Sequence, residues 1–148
     1  MFDPNSFFEQ VITEVGSTEA VPIPAGEYLA TIDKKEVATW QKKDDPSVSG
    51  LKLKITWSLE DQAVRDLLGR DKVVVAQDIM LDITETGSLD MGKGRNVGLG
   101  RLREATNLNT PGQPFAFSML VGRMAKVKVT HRLVDNVPFA EIKAVAKL

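Results

Sequence analysis

The clearest pattern in the chain lies at residues 51–59. Leu51, Leu53, Ile55, Trp57 and Leu59 fall on one side of a two-residue period, and Lys52, Lys54, Thr56 and Ser58 on the other. Such alternation predicts a strand with one face buried and one solvated. Residues 27–40 predict an earlier strand, with Tyr28, Ala30 and Ile32 facing one way and Leu29, Thr31, Asp33 and Lys35 the other. Its apolar set then shifts to Val37, which predicts a bulge or strong coiling late in the strand. Residues 72–83 are β-rich: Val73, Val74 and Val75 lead into Ile79, Leu81 and Ile83, which alternate with Met80 and Asp82. At residues 124–133, Val127 and Val129 oppose Lys126, Lys128 and Thr130. At residues 139–148, Ala140, Ile142, Ala144, Ala146 and Leu148 alternate with Glu141, Lys143, Val145 and Lys147.

Helical spacing predicts three further elements. Residues 97–108 place Val97, Leu99, Leu102, Ala105 and Leu108 on one stripe, with Asn96 as the expected cap. Residues 60–70 predict one or two turns stopped at Gly69. Residues 5–15 carry Phe7, Phe8, Val11, Ile12 and Val15 at helical spacing, with Asn5 or Ser6 as cap and Glu9 completing a capping box. Residues 21–26, with Pro22 and Pro24, form an extended approach that forbids helix. Residues 41–50, 84–96 and 111–114 predict loops, residues 134–138 a turn, and residues 115–120 an apolar segment of no assignable type.

The order is three strands, a helix and two strands joined as a hairpin. It predicts a mainly β fold, a five-stranded OB-type barrel with the helix between strands three and four and a short N-terminal helical arm. Closure is expected because five half-polar strands in an open sheet would expose their edges. A two-layer α+β sandwich is the competing architecture. The division is an arm over residues 1–26 and a domain over residues 27–148.

Composition narrows the function classes. The 148 residues include no cysteine and a single histidine, His131. That removes disulfides, thiolate metal sites and two-histidine metal sites, and with them a conventional catalytic pair. No metal or cofactor is expected. The start lacks a signal-peptide pattern and no apolar run has membrane-spanning length, so a cytoplasmic protein without membrane contact is expected. Net charge is −1, but it is unevenly placed. Residues 1–26 hold Asp3, Glu9, Glu14 and Glu19 and no lysine or arginine, a balance of −4, and the remainder carries +3. An acidic arm on a mildly basic body is either a solvated lead-in or a partner-binding segment.

Several short motifs, in order, resemble a phage and prophage family of single-stranded-DNA-binding proteins long known only as a domain of unknown function. They are Pro24-Ala25-Gly26-Glu27-Tyr28 opening a strand before a lysine-rich loop, and Gly69-Arg70 ahead of another strand. The helix Gly100-Arg101-Leu102-Arg103-Glu104-Ala105-Thr106-Asn107 follows, then Leu120-Val121-Gly122-Arg123 leading into Val127-Lys128-Val129. The resemblance covers roughly residues 20–148. It implies an OB-fold protein of a phage replication or recombination module, working in the host cytoplasm. Such a protein protects single strands largely without sequence preference. It also implies partners among recombinases or replication proteins, and it is compatible with a homo-oligomer. Two departures stand out: residues 60–68 exceed the family's usual link, and the chain ends Ala146-Lys147-Leu148 without an acidic tail. The acidic arm is then a candidate substitute for that tail.

Non-specific single-strand binding needs a basic groove for phosphates and aromatic faces for bases. The candidates are Trp40, Lys42 and Lys43 in the first loop and Lys52 and Lys54 on the outer face of strand two. Lys126, Lys128 and Arg132 join them on strand four, with Phe139 in the last loop and Lys93 and Arg95 in the glycine-rich segment before the helix. The lysines are equally readable as the solvated side of half-buried strands. Trp57 and Tyr28 read as core, and His131 as a packed or hydrogen-bonded residue. Asp78, Asp82, Glu85 and Asp90 form the one carboxylate group to weigh as a nuclease site, and they read better as solvated side chains. Catalysis is not expected. The rival to nucleic-acid binding is a protein-interaction or virion module on the same barrel, using the arm or residues 115–120.

Overall fold

A computed structural model of the chain describes residues 3–18 and 20–148. The elements are α1 (Pro4–Phe7), β1 (Gly26–Gln41), β2 (Ser49–Leu59), α2 (Gln62–Leu68), β3 (Val74–Leu81), α3 (Val97–Ala105), a 3-10 turn (Phe117–Met119), β4 (Met124–Val134) and β5 (Val137–Ala146). The five strands form one antiparallel sheet in the order β3-β2-β1-β4-β5, with α3 between β3 and β4. β1 is long enough to serve two partners: its first half pairs with β4 (Gly26 opposite Val129) and its second with β2 (Gln41 opposite Ser49). The expected closure is not made as a ladder. β3 and β5 bring Cα atoms within 8 Å of each other, yet each stays an edge strand.

On β2 four of the five apolar positions are fully enclosed, Leu53, Ile55, Trp57 and Leu59; Leu51 is only half-buried, and Ser58, expected on the solvated face, is buried as well. Trp57 keeps its polar atom satisfied by donating from Nε1 to Gln77 Oε1 at 2.8 Å. Ala30 and Ile32 join from β1, Val75 and Ile79 from β3, Ala125, Val127 and Val129 from β4, and Leu99, Leu102 and Ala105 from α3. Tyr28 is half-buried against this cluster and donates its hydroxyl to the Pro24 carbonyl at 2.6 Å. Its pKa is raised, first by loss of solvent and then by the negative charge of Asp61.

α2 starts where Asp61 accepts from the Val64 amide and stops at Gly69, which sits in the left-handed region at φ 64°. The β4–β5 turn shrinks to Asp135 and Asn136, at φ 52° and 64°, the two-residue turn whose twist matches the strands. Val134, Val137 and Phe139 therefore lie in strands rather than in a loop.

Several expectations need correction. The bulge in β1 lies at Asp33, between the pairs Ile32–Trp57 and Lys34–Thr56, earlier than the shift at Val37 suggested. Beyond it the faces exchange, so Val37 sits opposite Leu53 and Trp40 turns to the outer face. A second irregularity in β4–β5 leaves Lys143 unpaired: Lys128 faces Ala144, but Val129 faces Ile142. Ala140 and Ile142 thus share the inner side with Val145, and Ala144 and Ala146 do not follow them. Helix α3 ends at Ala105, short of Leu108. Among its described residues the arm is helical only over Pro4–Phe7, capped by Asp3 Oδ1 accepting from the Asn5 amide rather than by Asn5 or Ser6. Residues 3–18 are exposed and supply nothing to the core.

Candidate nucleic-acid interface

The sheet curls until its two edges face each other, and a cleft of about 1110 Å³ lies between them. One wall carries Lys54 from β2, Asp78 and Met80 from β3, and Gly98 and Arg101 from α3. The other carries Arg132 and Val134 from β4 and Phe139, Glu141 and Lys143 from β5. Four cations and two carboxylates therefore line it. The carboxylates are engaged: Asp78 pairs with Lys52 at 3.0 Å and Glu141 with Arg132 at 3.9 Å. Lys54, Arg101 and Lys143 have no ion-pair partner among the described residues. Phe139 is 51% exposed directly across the strand pair from Arg132, and Met80 is 58% exposed on the facing wall. The cleft thus combines unpaired positive charge with accessible apolar and aromatic surface.

One wall depends on α3, and Asn96 fixes how that helix leaves β3. Asn96 occupies the cap position, but its side chain makes no capping bond. It turns back instead. Its Oδ1 accepts from the Asp82 amide at 2.8 Å, and its Nδ2 donates to the carbonyls of Asp82 at 2.9 Å and Asp90 at 2.8 Å. The Asn96 amide donates to Asp82 Oδ2 at 2.7 Å. This clamp closes the loop on itself and starts α3 tight against β3, where a Cβ at Gly98 would lie 3.1 Å from Ile79.

Trp40 stands on the outer face near the end of β1, opposite Gly50. Its half-buried indole lies on the glycine, so that a Cβ at Gly50 would fall 2.9 Å from Nε1. Nε1 is covered and has no hydrogen-bond partner among the described residues. Lys52 and Lys54 share this face, opposite Ala38 and Glu36. Lys42 and Lys43 are exposed just beyond, in the β1–β2 loop.

The sequence-derived set does not assemble as one surface. Trp40, Lys52 and Lys54 share one outer face, and Lys54 continues into the cleft with Arg132 and Phe139. Lys126 and Lys128 point outward beside Leu29 and Glu27, at the other end of β1. Seven to eleven residues of β1 separate those positions from Glu36 and Ala38, roughly 23–36 Å of strand path. Arg95 is drawn onto its own loop, 3.7 Å from Asp90 and 3.9 Å from Asp82, while Lys93 is exposed there with no ion-pair partner among the described residues. Arg101, Lys143 and Met80 are new. The exposed stripe of α3 and the outward register of β3 hint at two of them, but only the meeting of the two edges makes them neighbours.

The nuclease constellation is not assembled either. Asp78 answers Lys52 and Asp82 answers the Asn96 amide. Among the described residues no group of three His, Asp or Glu side chains is placed to hold a metal ion. His131 Nε2 lies 2.6 Å from the Ile23 carbonyl oxygen, tying the approach segment to β4. No helix among the described residues is long and apolar enough to cross a membrane. The sequence matches no protein-family model. A search of curated proteins likewise finds no match.

Proposed function

We propose that this protein binds single-stranded DNA and works by holding it rather than by catalysis. The reading takes the sheet as an OB-type barrel left open between β3 and β5, a partly open form that the strand order and the position of α3 support. The observation that carries it is the edge-to-edge cleft, where the unpaired Lys54, Arg101 and Lys143 lie within reach of one bound chain beside the exposed Phe139. Phosphates would follow the cations, and bases would stack on Phe139 and, along the adjoining face of β2, on Trp40. A phage replication or recombination role rests on the motif resemblance.

Titration with oligo(dT), followed by tryptophan fluorescence across a salt series, tests the proposal. Three phosphates neutralised on a single strand give a log–log salt slope of about −2. Removing Arg101 or Lys143 should flatten that slope by about 0.7 each. Trp40→Ala should lose ~1–3 kcal/mol, which is one stacked base. Binding that ignores salt, or that survives Lys54→Ala with Arg101→Ala unchanged, would refute it.

One observation favours a second reading, a protein-interaction module. Val134, Val137 and Phe139 leave an apolar patch on one face of the β4–β5 hairpin tip, each at least 40% exposed, and Leu133 is 67% exposed on the other face. Undiminished oligo(dT) binding after Leu133→Ser and Val137→Ser would assign that tip to another protein.

A further inference from the structure

The acidic arm and the cleft complement each other in both charge and shape. On a helix of 3.6 residues per turn, Phe7, Phe8, Val11, Ile12 and Val15 fall within an arc of about 140°. Glu9 and Glu14 flank that arc on its two sides. The cleft offers the converse: apolar side chains, Met80 on one wall and Val134 and Phe139 on the other, among cations on both, Lys54 and Arg101 facing Arg132 and Lys143. In the structure Phe8, Val11, Ile12 and Val15 of this stripe are each at least 80% exposed. An isolated helix of that length is marginal in water, which explains why only Pro4–Phe7 is wound here.

The connection has the right place and length. Ile23 is held beside His131, one residue before Arg132 in the cleft wall. The eight residues from there back to Val15 can span up to about 26 Å. A helix over residues 5–15 would be about 16 Å long, close to the roughly 13 Å of β3 between Ala76 and Met80 that borders the cleft.

We infer that the arm of the same chain docks as a helix in the β3–β5 cleft and excludes single-stranded DNA from it. The exclusion rests on the function proposed above; the docking does not. An arm seated nine-tenths of the time would weaken DNA binding about tenfold.

The chain has no cysteine, so Gln10→Cys gives a unique site for a nitroxide label in the full-length protein. Amide resonances of Ala76–Met80 and Arg132–Lys143 should broaden, while those of Lys126 and Lys128 stay sharp. Added oligo(dT) should relieve the broadening in step with binding. The full-length variant Val11→Ser with Ile12→Ser should lose the broadening and bind oligo(dT) about tenfold more tightly. No broadening at the cleft, or broadening that persists with DNA bound, overturns the inference. Broadening transferred from a labelled chain to a separate isotope-enriched chain also overturns it, since the occupant is then a second copy. If neither protein binds oligo(dT), the single-strand reading and the exclusion both fall, and the broadening alone decides whether the arm docks.

Discussion

Asn96→Ala tests whether one buried amide holds the β3–α3 corner and with it a wall of the cleft. Asn96 is 4% exposed, and the substitution removes three side-chain hydrogen bonds of 2.8–2.9 Å. At ~1 kcal/mol net for each, their loss costs about 3 kcal/mol. The residue also sits at φ 50°, ψ 41°, where asparagine is tolerated and alanine pays about 1 kcal/mol more. Water reaching the freed groups of Asp82 and Asp90 offsets part of this, since both residues are only half-buried. The net expectation is a loss of about 2–4 kcal/mol, large against a domain stability of ~5–15 kcal/mol yet short of unfolding the protein. Urea titration followed by tryptophan fluorescence should show a lower midpoint with an unchanged slope. Asn96→Gly serves as the control. It loses the same bonds but relieves the backbone, so it should be about 1 kcal/mol more stable than Asn96→Ala. An alanine variant within about 0.5 kcal/mol of the parent would refute the clamp. Equal destabilisation by glycine and alanine would refute the backbone part.

Three further outcomes follow from the same geometry. Gly50→Ala puts a methyl group within 3.0 Å of the Trp40 ring, so the indole must leave its seat. The tryptophan emission should shift to the red while the urea midpoint moves by less than about 1 kcal/mol. Leu102→Ala empties a fully buried position beneath α3 and should cost ~2–5 kcal/mol by urea titration. Tyr28 has a pKa raised above its ordinary value of 10.0, so folding favours the neutral phenol. Its contribution is fully present below that unfolded value and is lost as pH rises through the higher folded one. Tyr28→Phe should therefore show less alkaline loss of stability than the parent in denaturant titrations between pH 9 and 11.

Local period and punctuation were enough to read much of this chain. The alternation at Leu53, Ile55 and Trp57 names the buried face of β2, and Gly69 stops α2 by cap chemistry that involves only neighbouring residues. Element order, with α3 between β3 and β4, follows from the same local signals. The missing decisions are all between distant segments. One unpaired residue at Asp33 and another at Lys143 exchange the faces of β1 and β5, because a two-residue period reverses with any single insertion. Nothing in the residues around 96 announces that Asn96 will serve Asp82 rather than cap its own helix. Only the curl of the sheet brings Arg101 and Lys143 to Lys54 and carries Lys126 and Lys128 away from it. The sequence by itself determined the buried face of β2 and the order in which the elements come. Tertiary structure decided which charges share a surface, since that depends on register and on the approach of two sheet edges, and neither is encoded in any one segment.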